Sequence, residues 1–260
     1  MNDALYIAAT GMQAQQTNVE AIANNLVNSS TTAYKRSRVS FTDMVSAGIG
    51  HTASSVASDD GSLLAPVQRD GAGVAIAAMT KQFDMGTITK TGSAYDLAIN
   101  GDGFLSVSMP DGTTGYTRGG TLQVNADGQL ATQEGYVLKP GITIPTDLQS
   151  LVITNDGHVQ IASASQSAVT DAGQLELVRF TSPGQLQAKG DDLYLATDKS
   201  GEPLTGDGIG AVQQGYLEGS NISMVDEMVN LMVAQRAYES SVKVVQASDD
   251  MLGMINNLRK

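Results

Sequence analysis

SMVDEMVNLMVAQRAYESSVKVVQASDDMLGMINNL, residues 223–258, decides the fold class through its spacing. Met224, Leu231, Tyr238, Val245 and Leu252 fall every seven residues, with no proline and one internal glycine, Gly253. A sustained seven-residue apolar step is the pattern of a helix that buries a narrow seam against another helix. Ser223 followed by Asp226 resembles a capping box, in which the serine side chain satisfies a backbone N–H that the first turn leaves free. The predicted helix begins near Asn221 or Ser223 and runs to about Leu258, roughly 54 Å at a rise of about 1.5 Å per residue. Three places after the stripe come the small residues Ala234, Ser241 and Ser248, while Met224, Met228, Met232, Met251 and Met254 add pliable apolar surface. Such a seam suits close contact with several neighbours better than a self-sufficient two-stranded coil, which prefers Leu and Ile at both core positions.

The opposite end of the chain carries a matching stripe. Leu5, Met12, Val19 and Leu26 keep the seven-residue step, with Ala8, Gln15 and Ile22 three places after the first three. A helix of roughly 36 Å is predicted from about Asp3 to Leu26, and the Asn-, Ser- and Thr-rich run that begins at Asn24 ends it by competing for backbone hydrogen bonds. Leu5, Met12, Val19, Ile22, Leu26, Met224, Met228, Leu231, Tyr238, Val242, Val245 and Leu252 therefore form the expected assembly seam. Two half-seams at the ends of one chain point to self-association through the termini.

Between them the period changes to two. In the stretch from Phe104 to Met109, Leu105, Val107 and Met109 face one way, and Phe104, Ser106 and Ser108 the other. Leu122 and Val124 alternate with Thr121 and Gln123, Val159 and Ile161 with His158 and Gln160, and Leu193 and Leu195 flank Tyr194. Asp-Gly pairs begin at Asp102, Asp111, Asp127, Asp156 and Asp207, and Asn100-Gly101 adds another turn signal. These pairs accept positive φ at low cost and favour tight hairpins, so the middle reads as half-buried antiparallel strands. Residues 46–65 are dominated by Ser, Ala, Gly and Thr and read as an extended or flexible segment. The expected class is α+β and multi-domain: long, paired, coiled-coil-like terminal helices bracketing an antiparallel all-β central domain. Residues 1–30 with 221–260 form the helical domain, 31–75 an extended connection, and 76–220 the β-rich domain.

Composition excludes several functions. A net charge of −12 argues against nucleic acid, which needs clustered Lys and Arg. The one basic cluster, Lys35, Arg36 and Arg38, is too short to reverse that and reads as a solvated patch. The absence of cysteine removes disulfides, thiol catalysis and zinc–thiolate sites. No apolar run approaches the ~18 residues of a membrane span. The N-terminus, with Asp3 and helical periodicity, does not read as a cleaved secretory signal. The chain is expected in the cytoplasm or exported by a route that needs no cleaved peptide.

Catalytic chemistry finds little to build on. His51 lies in the Ser/Ala segment and His158 follows the Asn155-Asp156-Gly157 turn, so both read as exposed. No nucleophile elbow, phosphate-binding loop or zinc-protease helix motif occurs. The carboxylate pairs Asp59-Asp60 and Asp191-Asp192 do not converge if they lie on a strand, and they read as solvated loops. Asn125-x-Asp127-Gly128 and Asp207-Gly208 lack the ligand spacing of a calcium loop and read as hairpin turns. No catalytic residue, cofactor or metal is expected, and the chain reads as a non-enzyme.

Three sets of residues carry a family resemblance. The first is Ala23, Asn24, Asn25, Leu26, Val27 and Asn28 followed by Ser30 to Arg36, including Tyr34 and Lys35. The last is Gln214 to Asn221, then Glu227 to Met232, then Gln235, Arg236, Ala237, Tyr238 and Glu239. Between them stand Ala98 to Phe104 and Tyr116-Thr117-Arg118. In this order they resemble the bacterial flagellar rod and hook family of axial proteins, with Ala33 where that family's turn usually has Gly. Total length and the Gln-Arg-Ala-Tyr-Glu form are similar to the distal rod members, whereas hook members carry a further outer domain.

The resemblance implies a structural subunit of the distal rod, a helical tube that transmits torque to the hook. It implies polymerisation with copies of itself and contact with proximal rod proteins, hook protein, and the peptidoglycan and outer-membrane ring proteins that act as a bushing. Export through the flagellar type III apparatus without a cleaved signal, and a place in the basal body across periplasm and outer membrane, are implied as well. A proximal rod subunit, a β-rich adhesin or binding module, and a secreted β-rich hydrolase with helical appendages are the alternatives.

Overall fold

The computed structural model describes residues 2–46, 70–145, 147–163, 166–206 and 208–258. The Ser/Ala-rich segment beyond Ser46, His51, the Asp59-Asp60 pair and Asp207 lie outside the described residues. The chain divides into two compact units.

One unit holds helix α1 (Asn2–Val27) as far as Ala23, strands β1 (Ser37–Ser46) from Arg38 and β2 (Asp70–Lys81) to Met79, and helix α2 (Met224–Leu258) from Met228. β1 and β2 pair in a two-stranded sheet. Among the described residues, Ala8, Ala14, Ala21, Ile22, Ala234 and Ser248 are the buried helical residues of this unit. A Cβ placed on Gly11 would stand 3.7 Å from Ser241 Oγ, so the helices approach through small side chains. This corrects the expectation of long, coiled-coil-like paired helices bracketing a β domain. The class is α+β, but the described residues hold only two α-helices, of 26 and 35 residues, and more residues lie in strands than in helices. A coiled coil buries its large seven-step residues as knobs; here the small row beside them is covered, and Met224 and Tyr238 remain exposed.

The other unit, Asn24–Ser37 and Thr80–Glu227, contains the remaining strands. They are β3 (Ile88–Lys90), β4 (Asp96–Asn100), β5 (Phe104–Ser108), β6 (Thr114–Thr117), β7 (Gly119–Val124), β8 (Leu130–Thr132), β9 (Val137–Leu138), β10 (Leu148–Ile153), β11 (His158–Ser163), β12 (Gln166–Gln174), β13 (Leu177–Val178), β14 (Gln187–Gly190), β15 (Leu193–Leu195), β16 (Ala211–Gln214) and β17 (Tyr216–Glu218). A ten-stranded sheet runs β14-β15-β6-β5-β9-β8-β7-β4-β16, with β13 also on β5. β10, β11 and β12 form a second sheet, and β17 pairs with β3 in a third. The pairings described within this unit are antiparallel.

Period two survives, yet the central strands are covered on both faces. Leu105 and Val107 join Leu97, Ile99, Leu130 and Val159 in one aliphatic core. Phe104 points the other way, into an aromatic cluster with Tyr116, Phe180 and Tyr194. Edge-to-face contacts such as Tyr116–Phe180, 4.8 Å between centroids, stabilise that second layer. The turn signals at Asp111, Asp127 and Asp156 close hairpins as read, whereas Asn100-Gly101 and Asp102-Gly103 join β4 to β5, which do not pair with each other. Asn125 Oδ1 accepts from the backbone N–H of Asp127 at 3.0 Å and of Gln129 at 2.8 Å, closing the β7–β8 hairpin. Asp191 and Asp192 form the β14–β15 turn, both at φ 53°.

Candidate functional site

The resemblance residues converge on a buried ionic hub, contained wholly in the second unit. Its centre is Glu218, the last residue of β17. Antiparallel pairing sets Glu218 opposite Ile88. Ala33 N donates to the Glu218 carbonyl at 2.7 Å, and Gly219 N to the Thr87 carbonyl at 2.8 Å. The carboxylate accepts from Lys35 Nζ at 2.7 Å and from the backbone N–H of Gly86 at 2.9 Å, both on Oε1. Arg118 Nη2 lies 3.2 Å from Oε2. Gly86 is required by space: a Cβ there would fall 2.0 Å from the Gly219 carbonyl oxygen.

Two cations therefore share one carboxylate, and all three side chains are essentially sealed from solvent. Backbone carbonyls accept further hydrogen bonds from both cations. Lys35 donates to the Asp84 carbonyl at 2.8 Å, and Arg118 Nη1 to those of Gly101 at 2.9 Å and Gly103 at 2.8 Å. Arg118 thereby bolts the loop between β4 and β5 to the hub. Burial holds the Lys35 amine below its ordinary value, the Glu218 hydrogen bond and charge pull it back up, and the Arg118 charge lowers it.

A second carboxylate, Glu227, sits in the first turn of α2 and is buried. Asn25, in the last turn of α1, donates to its Oε2 at 3.3 Å. Arg36 Nε stands 2.9 Å from its Oε1, a charge contact whose N–H is not aimed at the oxygen. Asn25 is saturated: its amide also donates to the Ser37 carbonyl, and its oxygen accepts from Ser37 N and the Tyr34 hydroxyl. Asn221 Oδ1 accepts from Arg36 N at 2.8 Å, and its amide donates to the Gln82 and Asp84 carbonyls. α2 itself starts as read, with Ser223 Oγ accepting from Asp226 N at 3.5 Å. Buried charges of this kind are costly unless every partner is present, so the hub acts as an all-or-none lock on five segments of chain.

Around the lock lies a softer layer. Lys81 Nζ stands 4.4 Å from the Tyr34 ring centroid and donates to the Lys35 carbonyl at 3.2 Å. Burial lowers the Lys81 amine and raises the Asp192 carboxyl, and each charge partly offsets the other's shift. Burial also pushes the Tyr194 phenol well above its usual range.

The basic cluster read as solvated is corrected here: Lys35 is fully buried and Arg36 partly so, while Arg38 is exposed. Ala33 occupies the left-handed region at φ 58° without being glycine, and its methyl is buried. Among the motif residues, Asn25, Lys35 and Arg36 enter the hub, whereas Ala23, Asn24, Gln235, Arg236, Tyr238 and Glu239 are exposed and Leu26 and Ala237 half-buried. Among the seam residues, Ile22 is buried. Leu5, Met12, Val19, Leu231, Val242, Val245 and Leu252 are half-buried, and Met224, Met228 and Tyr238 exposed. Sequence reasoning missed Arg118 and Glu218 as partners. Local sequence does not mark them: each charge is followed directly by glycine, Gly119 or Gly219, but so are the exposed Asp127 and Asp156.

Comparison with known proteins follows the same three segments. Residues 5–35 match the model of the flagella basal body rod protein family, 98–161 that of the flagellar hook protein FlgE/F/G D1 domain, and 213–258 that of the flagellar basal body rod FlgEFG protein C-terminal region. The chain is 39% identical over 266 residues to the flagellar basal-body rod protein FlgG of Borreliella burgdorferi, covering 100% of both. It is 40% identical over 262 residues to FlgG of Agrobacterium fabrum, covering 97% of this chain and 98% of that one. Similarity to the flagellar basal-body rod protein FlgF of Caulobacter vibrioides is lower, 34% over 268 residues, with 98% and 100% covered. Each matched segment contributes a hub side chain: Lys35, Arg118 and Glu218. The chain belongs to the flagellar basal-body rod protein family.

Proposed function

We infer that this chain is a structural subunit of the bacterial flagellar distal rod. The full-length likeness to FlgG relatives supports the distal over the proximal position, because the FlgF likeness is weaker. One observation carries self-assembly: α2 leaves Val225, Met228, Val229, Met232 and Val233 exposed together on its first turns. A contiguous apolar strip of this kind marks a surface that another molecule covers. Copies joined head to tail through such strips, with a rotation that does not close, build an open helical tube. A tube of this kind transmits torque as a drive shaft.

The protein is part of the flagellar basal body and assembles with other rod and hook components. Within that setting, its neighbours are the proximal rod proteins, the hook protein and the ring proteins of the peptidoglycan layer and outer membrane. Export runs through the flagellar type III apparatus without a cleaved signal, and the shaft crosses periplasm and outer membrane. The seam from Leu5 to Leu26 and from Met224 to Leu252 supplies the subunit contacts. Val233→Asp places a charge on the exposed strip without touching the hub. Its purified full chain should melt like the parent but fail to form sedimentable polymer, since burying an unpaired charge is strongly unfavourable. In a host lacking its own distal rod subunit it should not restore swimming. Normal polymer and normal swimming would remove the α2 strip from the mechanism.

A further inference from the structure

Met224, Met228 and Met232 are spaced four residues apart along α2, so they stack on one side of the helix, one turn above another. Their exposures are 51%, 43% and 52%, against 3% for Met109 in the β core. The parallel row Val225, Val229 and Val233 is equally open but chemically inert. The thioethers are thus the reactive half of an otherwise unreactive apolar strip. Susceptibility of methionine to oxidation follows exposure, and the sulfoxide is polar and chiral where the thioether was apolar.

We propose that Met224, Met228 and Met232 form a reversible oxidation site that switches the subunit's capacity to assemble. The oxidant is a peroxide. A sulfur lone pair attacks one peroxide oxygen, an S–O bond forms as the O–O bond breaks, and the departing hydroxide takes up the proton left on the transferred oxygen. Sulfur is oxidised by two electrons, and one peroxide is reduced to water. Three sulfoxide dipoles then lie along the strip, and a neighbouring subunit that covers them must desolvate them without partners. The assembled shaft shields the same sulfurs, so the site is open before assembly and closed after it. This inference rests on the α2 strip being the assembly surface.

The test treats purified full-length subunit with hydrogen peroxide, maps oxidised peptides by mass spectrometry, and follows polymerisation by light scattering. Met224, Met228 and Met232 should gain oxygen several times faster than Met109 in free subunit and lose that advantage in polymer. Oxidised subunit should lose polymerisation, and methionine sulfoxide reductases acting on both sulfoxide epimers should restore it. The triple variant M224L/M228L/M232L, measured against its own untreated level, should lose several-fold less to peroxide. Equal rates at Met232 and Met109, undiminished polymerisation of mapped sulfoxide, or no recovery after reduction would each overturn the switch. Val233→Asp separates the two ideas, since it carries no oxidisable group. If that variant polymerises, the assembly surface is wrong and the switch falls with it. If it is blocked while oxidised wild-type subunit polymerises, only the switch is wrong.

Discussion

Glu218→Gln keeps the shape of the hub and removes its central charge. Lys35 and Arg118, both sealed from water and 2.7 Å and 3.2 Å from the lost carboxylate oxygens, would be left as two buried cations with no anion between them. Breaking one partner out of a buried pair costs about 3–5 kcal/mol, mostly as the penalty on the charge that remains. The glutamine oxygen can still accept from Lys35 and the Gly86 N–H, but its NH2 group must then face Arg118, so a loss within that range is expected here. Against a typical domain stability of about 5–15 kcal/mol this is a large loss. At a slope of about 2 kcal/mol per molar urea it moves the unfolding midpoint down by about 2 M. Tyrosine fluorescence reads it directly, because the chain has no Trp and 8 Tyr, and Tyr34, Tyr116 and Tyr194 are buried in the unit that holds the hub.

The same variant carries a pH signature. Lys35 is held below its ordinary 10.5 by burial, and the Glu218 hydrogen bond and charge are what raise it again. Without them its folded value falls further. A base with a depressed folded value binds fewer protons folded than unfolded, so stability rises with pH between that value and 10.5. The variant's deficit should therefore be largest near neutrality and shrink as pH rises toward 10.5, as the amine sheds its proton. The buried guanidinium of Arg118, left without its carboxylate, sets the residual loss. A deficit below about 1 kcal/mol at neutral pH, or one that grows with pH, would falsify the picture of a charge-locked hub.

Three further outcomes follow from the same geometry. Gly86→Ala, which sets a Cβ 2.0 Å from the Gly219 carbonyl oxygen, should destabilise by about 2 kcal/mol or more in urea melts, and tolerance of it would mean that β17 can move away. Ala33→Gly should be neutral or stabilising by up to about 1 kcal/mol, as relief of left-handed strain of about 1–2 kcal/mol meets a comparable loss of chain stiffness and a buried methyl; Ala33→Val, β-branched at φ 58°, should lose at least about 2 kcal/mol. In ultraviolet titration, Tyr194 should ionise last, in step with alkaline unfolding: its proton is held by burial, so the stability it contributes is whole below the ordinary 10.0 and drains as pH rises past it. Ionisation of all eight tyrosines at one pH without unfolding would contradict the buried aromatic layer.

Local order was legible because it is written in short-range periodicity. The seven-step apolar rows located α1 and α2, and the Ser223 cap located where α2 begins, since both depend on residues within a few places of each other. Asp-Gly at Asp111, Asp127 and Asp156 marked hairpins for the same reason, while Asn100-Gly101 marked a turn between strands that do not pair. Two things were not legible. Alternation along β5 marked Leu105 and Val107 as one face, but a single strand does not reveal whether a second layer covers Phe104 on the other. Likewise the helical stripes carried no record of which row is covered within the chain, and the small row at Ala234 and Ser248 is the buried one.

By itself the chain's sequence determined two helices, a β-rich middle closed by Gly turns, the absence of thiol chemistry, and a family likeness spread over its whole length. Only tertiary structure decided the fate of the charges. Lys35 beside Arg36 and Arg38 looks solvated in one dimension, because nothing near it in sequence is acidic. Its partner Glu218 lies 183 positions away, and Arg118 lies 100 positions from that same carboxylate. Burial of a charge depends on who surrounds it in space, and a polar network closes only when the fold has brought every donor and acceptor together.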